Sequence, residues 1–587
     1  MSHELFERHR ALLDKAVNAI RTRAYWSAYP EVPSGKIYGE TAKDEGETAF
    51  KNRLNKPFAM DVPDAAGNVG AEQSPYGFAL GITYPRPNLD ALMKAAQNAM
   101  KKWSRAGVEE RVGVCMEILH RLNRRSFEIA NAVMHTTGQG FMMSFQAGGP
   151  HAQDRGLEAV AYAWDEMNRV PRSTQWQKQV SKTDVITLNK TYHIAPRGVS
   201  VVIGCSTFPT WNSYPAIFAS LATGNAVVVK PHGGAILPLA ITVEIAREVL
   251  KEAGFDPNVI TLAADDVNQP ISKLLVTRPE TKIVDYTGSS SFGQWIEENA
   301  ARDVAVFTEK AGVNSCIIDS IGDLKAVTGN LAFTLSLYSG QMCTTTQNIF
   351  IPRDGVKVGT GGGETKAFDE VAGAIVGAVN WFLGDPKRAA EVLGAIQNAA
   401  TTKRIAEAEK EVSASGSSAK ILRKSEAAAN EAFPAARVRG PLIVQCDAKD
   451  RNLYMREMFG PIAYIIATDS TQQSIDLARE CARDHGAITW SAYATDPKTI
   501  AQIEDAAIDA GVPLSVNLTG QIFVNQAAAF SDYHVSGANP SGNATLTDAA
   551  FVTPRFRVVQ SRVPAPVTAT NAGAATEVKP AVGAGAR

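Results

Sequence analysis

The feature that most constrains the fold begins at Gly198. There the runs GVSVVIGCS, NAVVVKP, VITLAADD and KIVDYTGSS follow one another, each short, apolar and rich in β-branched residues. Helical patterns such as LPLAITVEIAREVLKEAGF separate them. Continuous apolar strands alternating with helices specify a parallel sheet covered on both faces. In such sheets ligands bind beyond the carboxyl ends of the strands, which is where KPHGG and TGSSSFG fall. After Ile317 a second α/β region runs to about Val516 and includes the helical stretch AAEVLGAIQNAATTKRIAEAEKEV and the Ser/Gly-rich loop SASGSS.

The sequence before this point is read as mostly helical. In PNLDALMKAAQNAMKKW, Asn88 caps a helix with Leu89, Leu92, Met93, Ala96 and Met100 on its apolar face. From Gln179 the texture changes to VSKTDVITLNKTYHIAPRG, rich in Thr, Val, Ile and Tyr, which reads as a strand pair. The last segment, Val563 to Arg587, lacks large hydrophobes other than valine and is expected to be a disordered tail.

With 587 residues the chain has room for two or three domains. Its net charge of -1 gives no electrostatic reason to expect a nucleic acid or an anionic membrane as partner. The six cysteines are scattered, with no Cys-x-x-Cys and no close Cys/His cluster, so neither a metal site nor a disulfide framework is expected. The charged N-terminus lacks a signal-peptide core, and no uncharged apolar run is long enough for a membrane helix. A cytoplasmic protein acting on small molecules is expected.

Three clusters can carry chemistry. Lys230, closing a buried strand, could point a fixed charge at a phosphate or ribose, or could follow a turn that is simply good turn chemistry. Thr287, Gly288 and Ser289 form a turn between a strand and a helix, and backbone N–H groups there suit a pyrophosphate. Neither standard glycine-rich phosphate fingerprint is present. The third cluster pairs Cys343, in GQMCTT, with Glu309, in FTEKAG. A cysteine between a Gly-Gln turn and a threonine run, near a helix start, could have a lowered pKa, or could be one more buried cysteine. Glu309 could be a base at the sheet edge or a surface turn residue, and spacing favours the surface. A histidine partner for Cys343 is not legible, and His232 and His534 read as satisfied loop histidines.

Taken together and in this order, these segments resemble the aldehyde dehydrogenase superfamily, from roughly Tyr84 to Arg562. APRGVSVVIGCSTFP and LATGNAVVVKP look like its first cofactor strands. TGSSSFG is similar to its Thr-Gly-Ser turn, FTEKAG to its glutamate motif, GQMCTT to its nucleophile motif and MREMFGPIAYI to the segment that holds the nicotinamide ribose. Three further segments, STFPTWNSYPAIFASLATGN, VNQAAAFSDYHVSGANPSGN and AYWSAYPEVPSGKIYGET, look like the PaaN-type proteins of phenylacetate degradation.

The resemblance implies an α/β fold with a Rossmann-type cofactor domain (1–178 and 197–310), an α/β catalytic domain (311–519) and a bridging β-arm (179–196 and 520–562). The arm would pair subunits into a homodimer or homotetramer, with VSKTDVITLNKTYHI as its edge. The implied reaction has Cys343 attack an aldehyde, with Glu309 the base that hydrolyses the resulting thioester. Glu457 and Phe459 would position the nicotinamide. The implied substrate is a ring-opened semialdehyde linked to CoA.

Several positions depart from the family pattern. Thr207 stands where an oxyanion-binding asparagine is common, with Asn212 as an alternative donor, and Ala216 stands where a lysine is frequent. Gly233 replaces a glutamate that favours NAD, so NADP is the expected cofactor, with Lys230 able to pair with its 2′-phosphate; Asp265 and Asp266 in LAADD could lie near the adenosine, which leaves NAD open. Two rival readings remain at this level: a catalytically weak binding or scaffold protein, and a dehydrogenase that hands its acyl group to CoA.

Overall fold

The computed structural model describes residues 2–359, 363–414, 418–520 and 527–565. The chain divides into two compact units: 1–167 with 195–557, and 168–194 with the residues from 558 onward.

The larger unit holds two parallel sheets. The first is built from β1 (Val199–Ile203), β2 (Val227–Lys230), β3 (Ile260–Leu262), β4 (Thr281–Gly288) and β5 (Ala305–Lys310), in the order β3-β2-β1-β4-β5. The order reverses beside β1, and a crevice opens there at the carboxyl ends of the strands. Register then decides what meets in it. Ile203 pairs with Lys230 on one side and Tyr286 on the other, and Thr287 pairs with Glu309. The alternation read from sequence is this sheet.

The helix Leu89–Trp103 starts where Asn88 places it, with Asn88 Oδ1 accepting from the N–H groups of Asp90 and Ala91. Its Leu92, Met93 and Ala96 are fully buried against Val199, Val201, Val228 and Val284 of the sheet. Each such side chain contributes about 1.5–3 kcal/mol by leaving water, less for alanine.

The second sheet comprises β6 (Ser315–Ile318), β7 (Asn348–Pro352), β8 (Lys420–Arg423), β9 (Leu442–Asp447), β10 (Ile462–Thr468), β11 (Trp490–Tyr493) and β12 (Leu514–Val516). The strand order is β8-β9-β10-β7-β6-β11-β12, with only β8 antiparallel to its neighbour. The long helix expected over 389–412 is broken. Helices cover Pro386–Val392 and Ala399–Ala414, and the chain between them turns in against Tyr338, where a Cβ on Gly394 would meet the Tyr338 ring at 2.3 Å. Residues 415–417 of the Ser/Gly-rich loop lie outside the described residues.

The smaller unit is a three-stranded sheet of Ser173–Gln179, Val185–Pro196 and Phe556–Pro564. Three expectations need correction here. The segment expected as the edge, VSKTDVITLNKTYHI, supplies the central strand, because the hairpin begins earlier, at Ser173, and the Phe556–Pro564 strand covers its other side. Of the late segment assigned to the arm, residues 527–557 belong to the larger unit, where their loops fold back onto β5. Val563 and Pro564, read as the start of a disordered tail, end a strand, and 566–587 lie outside the described residues. Among the described residues no helix is long and apolar enough to cross a membrane.

Candidate active site

A cleft of about 630 Å³ opens at the carboxyl ends of the first sheet. All eleven residues singled out from sequence line it: Thr207, Asn212, Lys230, Gly233, Thr287, Gly288, Ser289, Glu309, Cys343, Glu457 and Phe459.

Cys343 is presented by a strained turn. The Leu324–Ser336 helix ends in a 3₁₀ turn in which Tyr338 and Ser339 have φ of 53° and 51°. Left-handed backbone costs about 1–2 kcal/mol per non-glycine residue, so the surroundings must impose it. The buried Tyr338 hydroxyl donates to the Thr137 carbonyl at 2.5 Å, and Ser339 Oγ donates to the Gly394 carbonyl at 2.8 Å. Gly340 follows at φ 63°, where a Cβ would lie 2.5 Å from the Gly460 oxygen. Beyond the turn, Asn314 Nδ2 donates to the carbonyls of Cys343 (2.7 Å) and Thr345 (3.0 Å). The Asn314 amide oxygen accepts from the N–H groups of Ile488 and Thr489. Asn314 thereby ties the Cys343 loop to the start of β11.

The thiol does not sit at a helix start, and its pKa is not lowered. Burial, with the Glu309 carboxylate beside it, pushes the half-buried Cys343 thiol well above its usual range. Glu309, for which spacing favoured the surface, is buried at the end of β5. Its Oε2 accepts from Asn212 Nδ2 at 2.8 Å, and its Oε1 lies 2.8 Å from His534 Nε2. Asn212, in the first turn of the Pro209–Ala222 helix, also accepts a weak bond from the Cys205 thiol at 3.6 Å. Thr207 lines the cleft, its carbonyl held by Gln139 Nε2 at 2.7 Å.

His534 is the residue that sequence reasoning missed. Its Nε2 stands 3.8 Å from Cys343 Sγ as well as 2.8 Å from Glu309. The partners are 191 and 225 residues away, so no local spacing betrays them. The loop that brings it in is built to press against β5. Asn543 accepts from the Thr308 N–H at 2.8 Å and donates to the Val306 carbonyl at 2.9 Å, and a Cβ on Gly542 would meet the Thr308 oxygen at 2.7 Å. Glu309, Cys343 and His534 offer donor atoms within 4.8 Å of one another, a set that could also hold a divalent cation. A thiol with a carboxylate and an imidazole in reach has the makings of an activated nucleophile.

The far end of the cleft has a different character. Lys230, closing β2, is buried and paired with Asp265, Nζ to Oδ2 at 2.7 Å. Burial lowers the Lys230 pKa and raises that of Asp265, each opposed by the partner charge. Asp265 Oδ2 also accepts from the Ile271 N–H at 2.9 Å, while Oδ1 has no hydrogen-bond partner among the described residues. Gly233 is required by the approach of this loop, because a Cβ there would lie 2.8 Å from the Val267 nitrogen. Thr287 and Gly288 end β4, and Ser289 caps the helix Ser290–Asn299, whose N-terminus borders the cleft. Glu457 is held through its neighbours: Gln347 accepts from the Met458 N–H at 2.7 Å and donates to the Arg456 carbonyl at 2.9 Å. Burial raises the Glu457 pKa against the nearby Arg404, which itself donates to the Phe459 carbonyl.

A profile of the aldehyde dehydrogenase family matches residues 84–545. The chain is 55% identical to an NAD-dependent aldehyde dehydrogenase of known structure from Burkholderia multivorans, covering 96% of this chain and 100% of that one with a TM-score of 0.92. A benzaldehyde dehydrogenase [NAD(+)] of Pseudomonas putida is 25% identical over 504 residues, 83% of this chain and 92% of that protein. An NADP-dependent glyceraldehyde-3-phosphate dehydrogenase from Bacillus halodurans, 18% identical, shares the fold over 85% of this chain and 96% of its own with a TM-score of 0.66. The Cys343 loop and a reversal-point crevice in one cleft thus coincide with a profile match over most of the chain, and the chain belongs to the aldehyde dehydrogenase family.

Proposed function

We propose that the chain oxidises an aldehyde to a carboxylic acid through Cys343, with a nicotinamide dinucleotide as electron acceptor. The observation that carries this reading is the cleft itself. One continuous cavity joins Cys343 and Glu309 to the carboxyl ends of β1, β2 and β4.

The residues present fit a dinucleotide. Asp265 Oδ1, a buried acceptor without a partner among the described residues, stands in the cleft wall where a ribose hydroxyl could donate to it. The N-terminus of the Ser290–Asn299 helix suits a pyrophosphate. Thr287, Gly288 and Ser289 would hold the phosphates, and Glu457 and Phe459 the nicotinamide end. When bound, the dinucleotide supplies the hydride acceptor.

The chain's own groups do the rest. Cys343 thiolate attacks the carbonyl carbon to give a thiohemiacetal, its oxyanion met by the Cys343 N–H and the Thr207 hydroxyl. Asn212 has one amide hydrogen committed to Glu309, which holds that carboxylate toward the thiol. Once the sulfur carries an acyl group, water adds to the thioester, Glu309 takes the water proton and the C–S bond breaks. A base held in this way favours release of a free acid over transfer to CoA.

We also propose NAD in place of the NADP expected from Gly233. The carboxylate missing at 233 is supplied in space by Asp265, and Lys230 is already neutralised by it. A 2′-phosphate would meet a carboxylate instead of a free ammonium. Resemblance to the PaaN-type segments supports a CoA-linked semialdehyde as substrate. Exposed Val180, Val185, Ile186, Val559 and Val563 on the smaller unit support subunit pairing through that sheet.

The test is reduction of NAD and NADP by the parent and Cys343→Ala with a panel of aldehydes that includes a CoA-linked semialdehyde. Reduction of NAD by the parent alone is expected. Equal turnover by the variant would refute the reading.

A further inference from the structure

Resting on the reading of Cys343 as nucleophile, we infer that His534 is a catalytic residue of the same reaction: it takes the Cys343 proton, and Glu309 holds the imidazolium so formed against the thiolate.

The geometry is that of three groups sharing one proton site. Nε2 of His534 is the atom that faces both partners, 3.8 Å from Sγ and 2.8 Å from Oε1. A separation of 2.8 Å between a ring nitrogen and a carboxylate oxygen requires a proton between them. In the transfer the S–H bond breaks with its electron pair left on sulfur. The proton binds the Nε2 lone pair of the Nδ1–H tautomer and comes to lie between Nε2 and Glu309 Oε1, so the 2.8 Å separation is that of the ion pair after the transfer. The trio begins with one carboxylate and ends with a carboxylate, a thiolate and an imidazolium, so its net charge is unchanged. That balance matters in a buried site, where a second unpaired anion beside Glu309 would be costly.

Burial and the Glu309 carboxylate push the thiol up, and a protonated His534 is the counter-charge that opposes them; among the described residues no other cation faces the thiol. Glu309 faces it from β5, and Cys205 faces it from the loop after β1. Arg155, from the Pro150–Asn168 helix, is stacked over the Trp211 ring and paired with Glu158 at 2.8 Å. Trp211 itself packs edge-on against His534 at 4.7 Å and fixes the plane of the imidazole. The loop carrying His534 is anchored on β5 by Asn543 and by the close approach at Gly542. A histidine delivered so specifically to a nucleophile and its carboxylate does more than fill space.

The experiment reads the thiol without aldehyde or cofactor, so its outcome is separate from that of the turnover test. Full-length parent and His534→Gln are alkylated with iodoacetamide across a range of pH. The Cys343 peptide is quantified by mass spectrometry, with Cys343→Ala as background. The parent is expected to label about tenfold or more faster than His534→Gln near pH 6–7, with the two curves converging where a thiol ionises unaided, above about pH 9. Identical profiles, or a loss by the same factor at every pH, would overturn the inference. Should His534→Gln not fold, the thiolate absorbance of the parent minus Cys343→Ala decides. It is expected at neutral pH, and its appearance only above about pH 9 would overturn the inference.

Discussion

Nζ of Lys230 lies 2.7 Å from Oδ2 of Asp265 in the wall of the cleft, so the lysine that a 2′-phosphate would need is already engaged. Asp265→Ser should raise the kcat/KM ratio of NADP to NAD by about tenfold or more, since it removes a like-charge repulsion. Lys230→Ala leaves Asp265 buried and alone, and should cost about 3–5 kcal/mol of stability. Steady-state kinetics with both cofactors and chemical denaturation check the two outcomes.

Thr207 is proposed as the side-chain donor to the oxyanion. Thr207→Val removes the hydroxyl at nearly constant volume. It should lower kcat by roughly tenfold to a hundredfold with little change in KM, because the bond forms only as charge develops. An unchanged kcat would shift the role to the second amide hydrogen of Asn212.

Asn314 connects the Cys343 carbonyl to two N–H groups at the start of β11. Asn314→Ala should destabilise the fold by about 1–3 kcal/mol through those orphaned groups. It should also reduce kcat, since the nucleophile loop loses its anchor. Thermal unfolding and single-turnover rates measure each part.

His135 gives the pH dependence of stability a sign. It is stacked on Phe50 at 5.0 Å and surrounded by Tyr76, Phe78 and Phe433. Burial pushes its pKa down from 6.5 to about 4. A pKa depressed on folding means the neutral form is favoured in the native state. The stability is whole above about pH 6.5 and is lost as pH falls through 4. The full contribution is about 3 kcal/mol. Urea unfolding of the parent between these limits should lose more stability than unfolding of His135→Phe.

The fold was legible where the signal is local. Apolar strands separated by helical patterns marked the first sheet, and Asn88 marked a helix start, because side-chain burial and capping act within a few residues. Cys343 and Glu309 were legible as candidates because each lies in a short motif, Glu309 at a strand end and Cys343 in the loop before a strand. The environment of Cys343 was not. Whether a thiol pKa rises or falls depends on groups that arrive from distant parts of the chain, and His534 comes from a loop that reads as polar turn chemistry. Asp265 could be placed near the adenosine from the sequence, but its ion pair with Lys230 spans more than thirty positions and no local pattern encodes it. The centre and edge of the three-stranded sheet likewise depend on a pairing with Phe556–Pro564 that no local pattern encodes.

The central claim is that Cys343 becomes acylated by the aldehyde and that Glu309 releases it. Glu309→Gln, mixed with aldehyde and NAD, should reduce about one equivalent of cofactor in a burst and then stall, with the acyl mass found on the Cys343 peptide. Full turnover by Glu309→Gln, or an adduct on any other cysteine, would contradict it.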